Sequence, residues 1–196
     1  RSLPEDEEEI FSYLSSGAVK GVGAAIADRL VQRFGEDTLR VLEEEPEKIA
    51  EVKGVTPRKA REIAESYRCQ MGMRRLLDFL TAHDLPPQLG MPLYRRFGDR
   101  ALEAVRANPY LLVEGELSVP FDQVDQLAME LGFAEDHPWR LEAGVVFVLR
   151  HNLDNGHTFL PAGKLGATTT ALLGVSDPEE VAGAMDSLRE RRTVVL

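Results

Sequence analysis

Two stretches of this chain carry residues whose types and spacing suit chemistry with an anion. The first is Lys20-Gly21-Val22-Gly23-Ala24, two glycines around one apolar residue with a helical pattern directly behind. The second is Lys53-Gly54-Val55-Thr56, followed by Pro57, Arg58 and Lys59. Glycine takes positive φ without a Cβ clash and leaves the main chain open to close approach. Where such a turn opens a helix, the first N–H groups have no intrahelical acceptor and the dipole is positive. That combination holds a phosphate group. In the second stretch Thr56 stands where the first has Gly23. A threonine there caps the next helix, and Pro57 suits its first turn. Arg58, Lys59 and Arg61 place three cations at the start of that helix, where the dipole does not favour them. This points to a phosphate strand as their partner. The plain alternatives are a tight turn between two packed helices and a solvated basic surface.

Each turn needs a helix on either side, and the pattern supplies them. Acidic residues 5–9 lead into Ile10, Phe11, Tyr13 and Leu14, as at a helix N-terminus. Behind the first turn, Ala27, Leu30, Val31 and Phe34 recur at helical spacing, and Gly35 ends the run. A short helix is expected over residues 37–42, and another after Pro46 with Ile49 and Val52 inward. The arrangement then repeats. Phe34-Gly35 recurs as Phe97-Gly98, Leu39 as Leu102 and Pro46 as Pro109. The same offset pairs Leu30 with Leu93 and Val22 with Leu85. One residue more pairs Val55 with Val119, Ala60 with Val124 and Ile63-Ala64 with Leu127-Ala128. A linking helix over residues 71–82 joins the copies. In the second copy Gly21-Val22-Gly23 becomes Asp84-Leu85-Pro86, and Gly54-Val55-Thr56 becomes Ser118-Val119-Pro120. Proline has no N–H to give and Asp84 repels phosphate. Copy one is therefore the expected binder and copy two mainly structural.

Residues 135–196 change character. A strongly apolar helix is expected over residues 139–153, a short strand over 157–161, and a helix over 162–173. A last helix capped by Asp177 runs to about Arg191, and a strand covers 193–196. Helix, strand, helix, helix, strand is the order of a winged helix. Arg189, Arg191 and Arg192 close the last helix among Glu179, Glu180, Asp186 and Glu190, which favours protein packing over insertion into a groove.

Composition bounds the rest. The 196 residues carry a formal net charge of -10, which excludes a protein that grips nucleic acid with its whole surface. Cys69 is the one cysteine, so no intrachain disulfide forms, in keeping with a reducing cytoplasm. No apolar run is long enough for a membrane span. There is no G-x-x-x-x-G-K-[ST] loop, and Gly163-Lys164 lacks its context. His83, His137, His151, His157 and Cys69 have no metal-ligand spacing. No enzyme active site is read from the chain.

The two turns resemble the helix-hairpin-helix family of DNA-binding motifs, and their pairing through a short helix resembles its doubled form. A longer order of motifs is more specific. Tyr13-Leu14 and Gly17 precede Lys20-Gly21-Val22-Gly23; Arg33-Phe34-Gly35-Glu36-Asp37-Thr38-Leu39 and Asn108-Pro109-Tyr110-Leu111-Leu112 follow. Phe121, Val124-Asp125, Leu131-Gly132 and His157-Thr158-Phe159-Leu160-Pro161 complete it. Together these resemble the segment before the motor in RecD-like ATP-dependent DNA helicases, relatives of the exodeoxyribonuclease V alpha subunit. Leu117-Ser118-Val119-Pro120 departs from the family's glycine-containing turn. The resemblance implies a 5′-to-3′ motor using ATP and magnesium that lies outside this sequence, and no cofactor within it.

The expected fold is mainly α: two tandem paired helix-hairpin-helix domains, residues 1–70 and 71–134, then a small winged-helix-like α+β domain, 135–196. The expected function is sequence-independent DNA binding and positioning in repair or recombination. Lys20, Gly21, Val22, Gly23, Ala24, Lys53, Gly54, Val55, Thr56, Arg58 and Lys59 form the expected phosphate site. Expected partners are DNA, single-stranded or at a junction, and the helicase motor, in the cytoplasm and away from membranes. The alternative is a protein-interaction scaffold docking on the motor or on a repair partner.

Overall fold

In the computed structural model, residues 3–191 and Thr193 are described, and all their regular structure is helical. The chain divides into two compact units, Arg1–Leu102 and Glu103–Leu196. No helix among the described residues is long and apolar enough to cross a membrane.

In the first unit α1 spans Glu7–Ser15, capped by the Asp6 carboxylate, which accepts from the Glu9 N–H at 2.8 Å. The first glycine turn leads into α2 (Ala24–Phe34). Gly35 reverses the chain at φ 57° and ψ −133°, a conformation closed to residues with a Cβ. Then follow α3 (Thr38–Glu44), a 3-10 turn over Pro46–Glu51, the second glycine turn and α4 (Pro57–Ala82). One hydrophobic cluster joins these elements. Ile10, Leu14, Leu30, Leu42, Ile49, Ile63 and Tyr67 are its fully buried centre. Each such side chain contributes about 1.5–3 kcal/mol by leaving water. Copy one thus has a core of its own.

The expected separate linking helix does not exist as such. It is the second half of α4, a single 26-residue helix. Nothing from Arg58 to Ala82 breaks a helix: Gly72 is the weak point, and it lies against the Asp99 backbone, 3.5 Å from where its Cβ would be.

The repeat is present in the backbone as well as in the sequence. Helix α5 covers Gly90–Phe97 and ends at Gly98, φ 62° and ψ −140°, matching Gly35. Helix α6 (Ala101–Ala107) precedes a 3-10 turn at Pro109–Val113, as α3 precedes the turn at Pro46. Helix α7 is Phe121–Glu130.

The second unit continues through α8 (Pro138–Asp154), α9 (Ala162–Leu173) and α10 (Pro178–Glu190). Asp177 caps α10 as expected, accepting from the Glu179 N–H at 2.9 Å. Gly144 lets Leu173 reach the α8 backbone; a Cβ there would lie 2.8 Å from the leucine methyl. Buried Arg140 ties the unit together. It donates to both Asp125 oxygens at 2.9 and 3.0 Å, to the Glu135 carbonyl at 2.7 Å and to the Leu173 carbonyl at 2.9 Å. The Tyr110 hydroxyl donates to the same Asp125 at 2.7 Å. Asp125 is on α7, Arg140 on α8 and Leu173 on α9, so one guanidinium fixes three helices.

The expected α+β character of residues 135–196 is corrected here. No strand forms over residues 157–161, and there is none among the described residues. Phe159 is 77% exposed rather than packed. A strand needs a partner to satisfy its N–H and C=O groups, and Pro161 withholds one N–H. The second expected strand, 193–196, falls outside the described residues except for Thr193. The segment is a three-helix arrangement, without the winged-helix strand at 157–161.

Candidate nucleic-acid interface

The two glycine turns of copy one have one geometry. Gly21 has φ +88° and Gly54 φ +90°. In each, the next valine N–H closes the turn: Val22 to the Val19 carbonyl at 3.2 Å and Val55 to the Val52 carbonyl at 3.1 Å. Val22 and Val55 are buried and anchor their turns in the core, while the flanking Lys20, Gly21, Gly23, Ala24, Lys53, Gly54, Thr56 and Arg58 remain exposed. The sequence therefore splits each turn by chemistry, with the apolar residue inward and the amides outward.

The N-terminal amides differ between the turns. In α2 the first intrahelical bond is Ala27 N–H to the Gly23 carbonyl. The N–H groups of Gly23, Ala24, Ala25 and Ile26 precede it, and Gly23 offers no side-chain cap. In α4 the first such bond is Ala60 to Thr56. Pro57 has no N–H, and the Thr56 hydroxyl oxygen accepts from Lys59 at 3.2 Å. The second corner thus has fewer open donors. Neither helix has an acidic residue in its first turn, whereas α1 begins with Glu7, Glu8 and Glu9. A positive helix end without a neighbouring carboxylate is suited to an external anion.

The side chains of Lys20, Lys53 and Lys59 make no ion pair among the described residues. Arg58 pairs with Glu62 at 3.3 Å, both well exposed, and such a pair is worth little in water.

The structure adds contacts that the linear pattern conceals. The Arg29 guanidinium on α2 donates to the Lys53 carbonyl at 2.8 Å. A Cβ on Gly54 would lie 2.9 Å from Arg29 Nη1. In return the Lys20 N–H donates to the Ser66 hydroxyl on α4 at 2.9 Å, and a Cβ on Gly21 would lie 3.3 Å from Ile63. Each turn is therefore braced by the helix that follows the other turn. Sequence reasoning missed Arg29 and Ser66. Arg29 is only one more cation on the polar face of α2 until the fold brings it to Gly54.

In the second copy the equivalent positions keep the positive φ and the buried apolar residue, but the Leu85 and Val119 N–H groups donate to the Leu80 and Leu112 carbonyls at 2.8 and 3.0 Å instead of closing the same turn. Asp84 and Ser118 have φ +55° and +44° without being glycine. Leu85 and Val119 are buried as Val22 and Val55 are. The helix-opening residues are Pro86 and Pro120, which have no N–H.

Comparison with known proteins gives three findings. Residues 69–159 match the family described as the ATP-dependent RecD2 DNA helicase HHH domain. That segment begins inside α4 and covers the second copy and α8. The chain is also 32% identical over 163 residues to the ATP-dependent RecD2 DNA helicase of Deinococcus radiodurans, across 82% of this chain and 22% of the relative. It thus spans about a fifth of the length of that curated relative. No solved structure matches it.

Proposed function

This chain belongs to the RecD-like DNA helicase family through its helix-hairpin-helix region, and from that premise we propose that copy one is a sequence-independent clamp on the DNA backbone. The carrying observation is the pair of turns with one geometry, each presenting exposed amides at a helix start free of acidic residues. Lys20 to Ala24 hold one phosphate through the Gly23 and Ala24 amides and the Lys20 ammonium, the Lys20 and Val22 N–H groups being engaged within the protein. Lys53 to Lys59 hold another through fewer amides and more cations, with Arg29 added from α2. Such contacts position DNA and carry no base information. Copy two, with proline at both helix starts, serves as a structural continuation. ATP and magnesium belong to a motor beyond this chain, and the whole protein acts on DNA in the cytoplasm, in repair or recombination.

Fluorescence anisotropy with labelled duplex, forked and single-stranded DNA across a salt series tests this. The expected log–log slope is roughly two to four, from about 0.7–0.9 per phosphate contact. It is independent of sequence. Reversing charge in the triple variant Lys20→Glu, Arg58→Glu, Lys59→Glu abolishes binding with the helical circular dichroism intact. Unchanged binding by the folded variant would overturn the assignment. The net charge of -10 supports the second reading, a scaffold docking on the motor or on a repair partner; absence of DNA binding at low salt would favour it.

A further inference from the structure

The second unit contains a ring-lined cavity that the phosphate corners do not use. It has a volume of about 300 Å³, with α8 as its floor. Trp139, Ala143, Phe147 and Arg150 lie four, four and three residues apart on that helix, and so share one face. The Tyr110 ring walls one side. Trp139, at 40% exposure, also lines it, with its ring 5.3 Å from that of His137 and 6.5 Å from that of Phe133. Phe147 lies between neighbouring rings, stacked with Phe121 at 4.9 Å and with His151 at 6.2 Å between centroids. The small Ala143 leaves the space between the two α8 rings open. Eight residues of helix separate the backbone positions of the two by about 12 Å along the axis, against a rise of about 3.4 Å per stacked base.

The charges are matched to an anion-bearing ligand. Both Glu142 oxygens are engaged, one in an ion pair with Arg191 and one accepting from the Ser187 hydroxyl at 3.2 Å. Glu114, also at the rim, has a partner within the protein. Arg150 is exposed and makes no ion pair among the described residues. An apolar peptide would match the rings and leave this guanidinium unmatched. A nucleobase with its phosphate matches both, since every base has a π-face and stacking tolerates any sequence. All the lining named for this purpose, apart from the Ser187–Arg191 end of α10, falls within the segment matched to the helicase domain.

We propose that this cavity is a stacking site for unpaired bases of a DNA strand, between Trp139 and Phe147, with Arg150 contacting the adjoining phosphate. The proposal rests on the reading that the chain binds DNA, and it adds the class of DNA: a single strand rather than a duplex.

Trp139 is the only tryptophan of the chain, so its emission reports on this cavity alone. Oligo(dT) titrated into the full chain is expected to quench that emission saturably, over the concentrations at which anisotropy of labelled oligo(dT) rises. A blunt-ended, fully paired DNA duplex is expected to bind without quenching. Trp139→Ala is expected to weaken oligo(dT) binding about tenfold, the size of one lost stack, and to leave binding of the blunt-ended duplex unchanged. Ala143→Phe fills the gap and is expected to do the same with the tryptophan retained, which covers the case that Trp139→Ala impairs folding. Arg150→Ala is expected to lower the salt slope by about 0.7. Oligo(dT) binding that leaves Trp139 emission unchanged, or equal quenching by the blunt-ended duplex, would overturn the cavity assignment while the phosphate corners stand. No anisotropy change with any DNA would instead remove the reading on which both rest.

Discussion

Position 21 and its equivalents show what a single residue contributes. All of Gly21, Gly54, Asp84 and Ser118 have positive φ, and a side chain in that region costs about 1–2 kcal/mol. Gly21→Ala is expected to lower stability by at least that amount, because its Cβ also presses on fully buried Ile63. Gly54→Ala meets only the end of the Arg29 side chain, which can move away. Its expected cost is the φ strain plus the Arg29–Lys53 hydrogen bond, and an Arg29→Ala background should remove the second part. Urea melts of the four proteins in that double-mutant cycle measure the coupling, expected at about 0.5–1.5 kcal/mol. The glycines were legible because their type alone implies the turn. Arg29 and Ser66 were not, since their partners are 24 and 46 residues away in sequence and no local period encodes such a pairing.

Among the elements, helix starts and ends were the most readable features: α9 runs over the expected residues 162–173, and α10 begins behind the expected Asp177 cap. The strand at residues 157–161 failed because a short local run of residues says nothing about whether a partner strand is available. The joining of a short helix and a linker into α4 was missed because the repeat suggested a boundary where the helical pattern has none. The Arg140 anchor was also invisible, though Asp125 was singled out as part of a motif. Asp125→Asn keeps the shape and leaves Arg140 buried without its counter-charge. It is expected to destabilise the protein by about 3–5 kcal/mol, read as a lowered urea midpoint. The same region and copy one should share an alkaline limit. Burial, with the neighbouring Glu43, pushes the Tyr67 hydroxyl up to about 12; burial and its hydrogen bond to Asp125 push Tyr110 higher still. Both folded values lie above the unfolded value of about 10, so this stabilisation is complete below pH ~10, and the Tyr67 part is lost as pH rises through about 12. Thermal melts should be flat from neutral pH to about 10 on this account and then fall; Tyr67→Phe should reduce the fall.

For the molecule as a whole, a net charge of -10 opposes DNA at long range, while the proposed corners would attract it at contact through local cations and amides. Beyond a Debye length of about 10 Å at 0.1 M salt the repulsion is screened. Association is therefore expected to lack electrostatic steering, staying near 10⁵–10⁷ M⁻¹s⁻¹ with little salt dependence, while dissociation carries the salt slope. Stopped-flow mixing with labelled DNA separates the two, and association that slows steeply as salt is added would contradict it. Helix α4 has a further consequence at this scale. It starts at the second corner and ends just before the Asp84 turn, so it acts as a phase reference as well as a spacer. One inserted residue would rotate the Asp84 turn and α5 by about 100° relative to the corner within the first unit. In this lineage, length changes are therefore to be expected in the loops after Phe97 and not between Pro57 and Ala82, where the count of residues sets an angle.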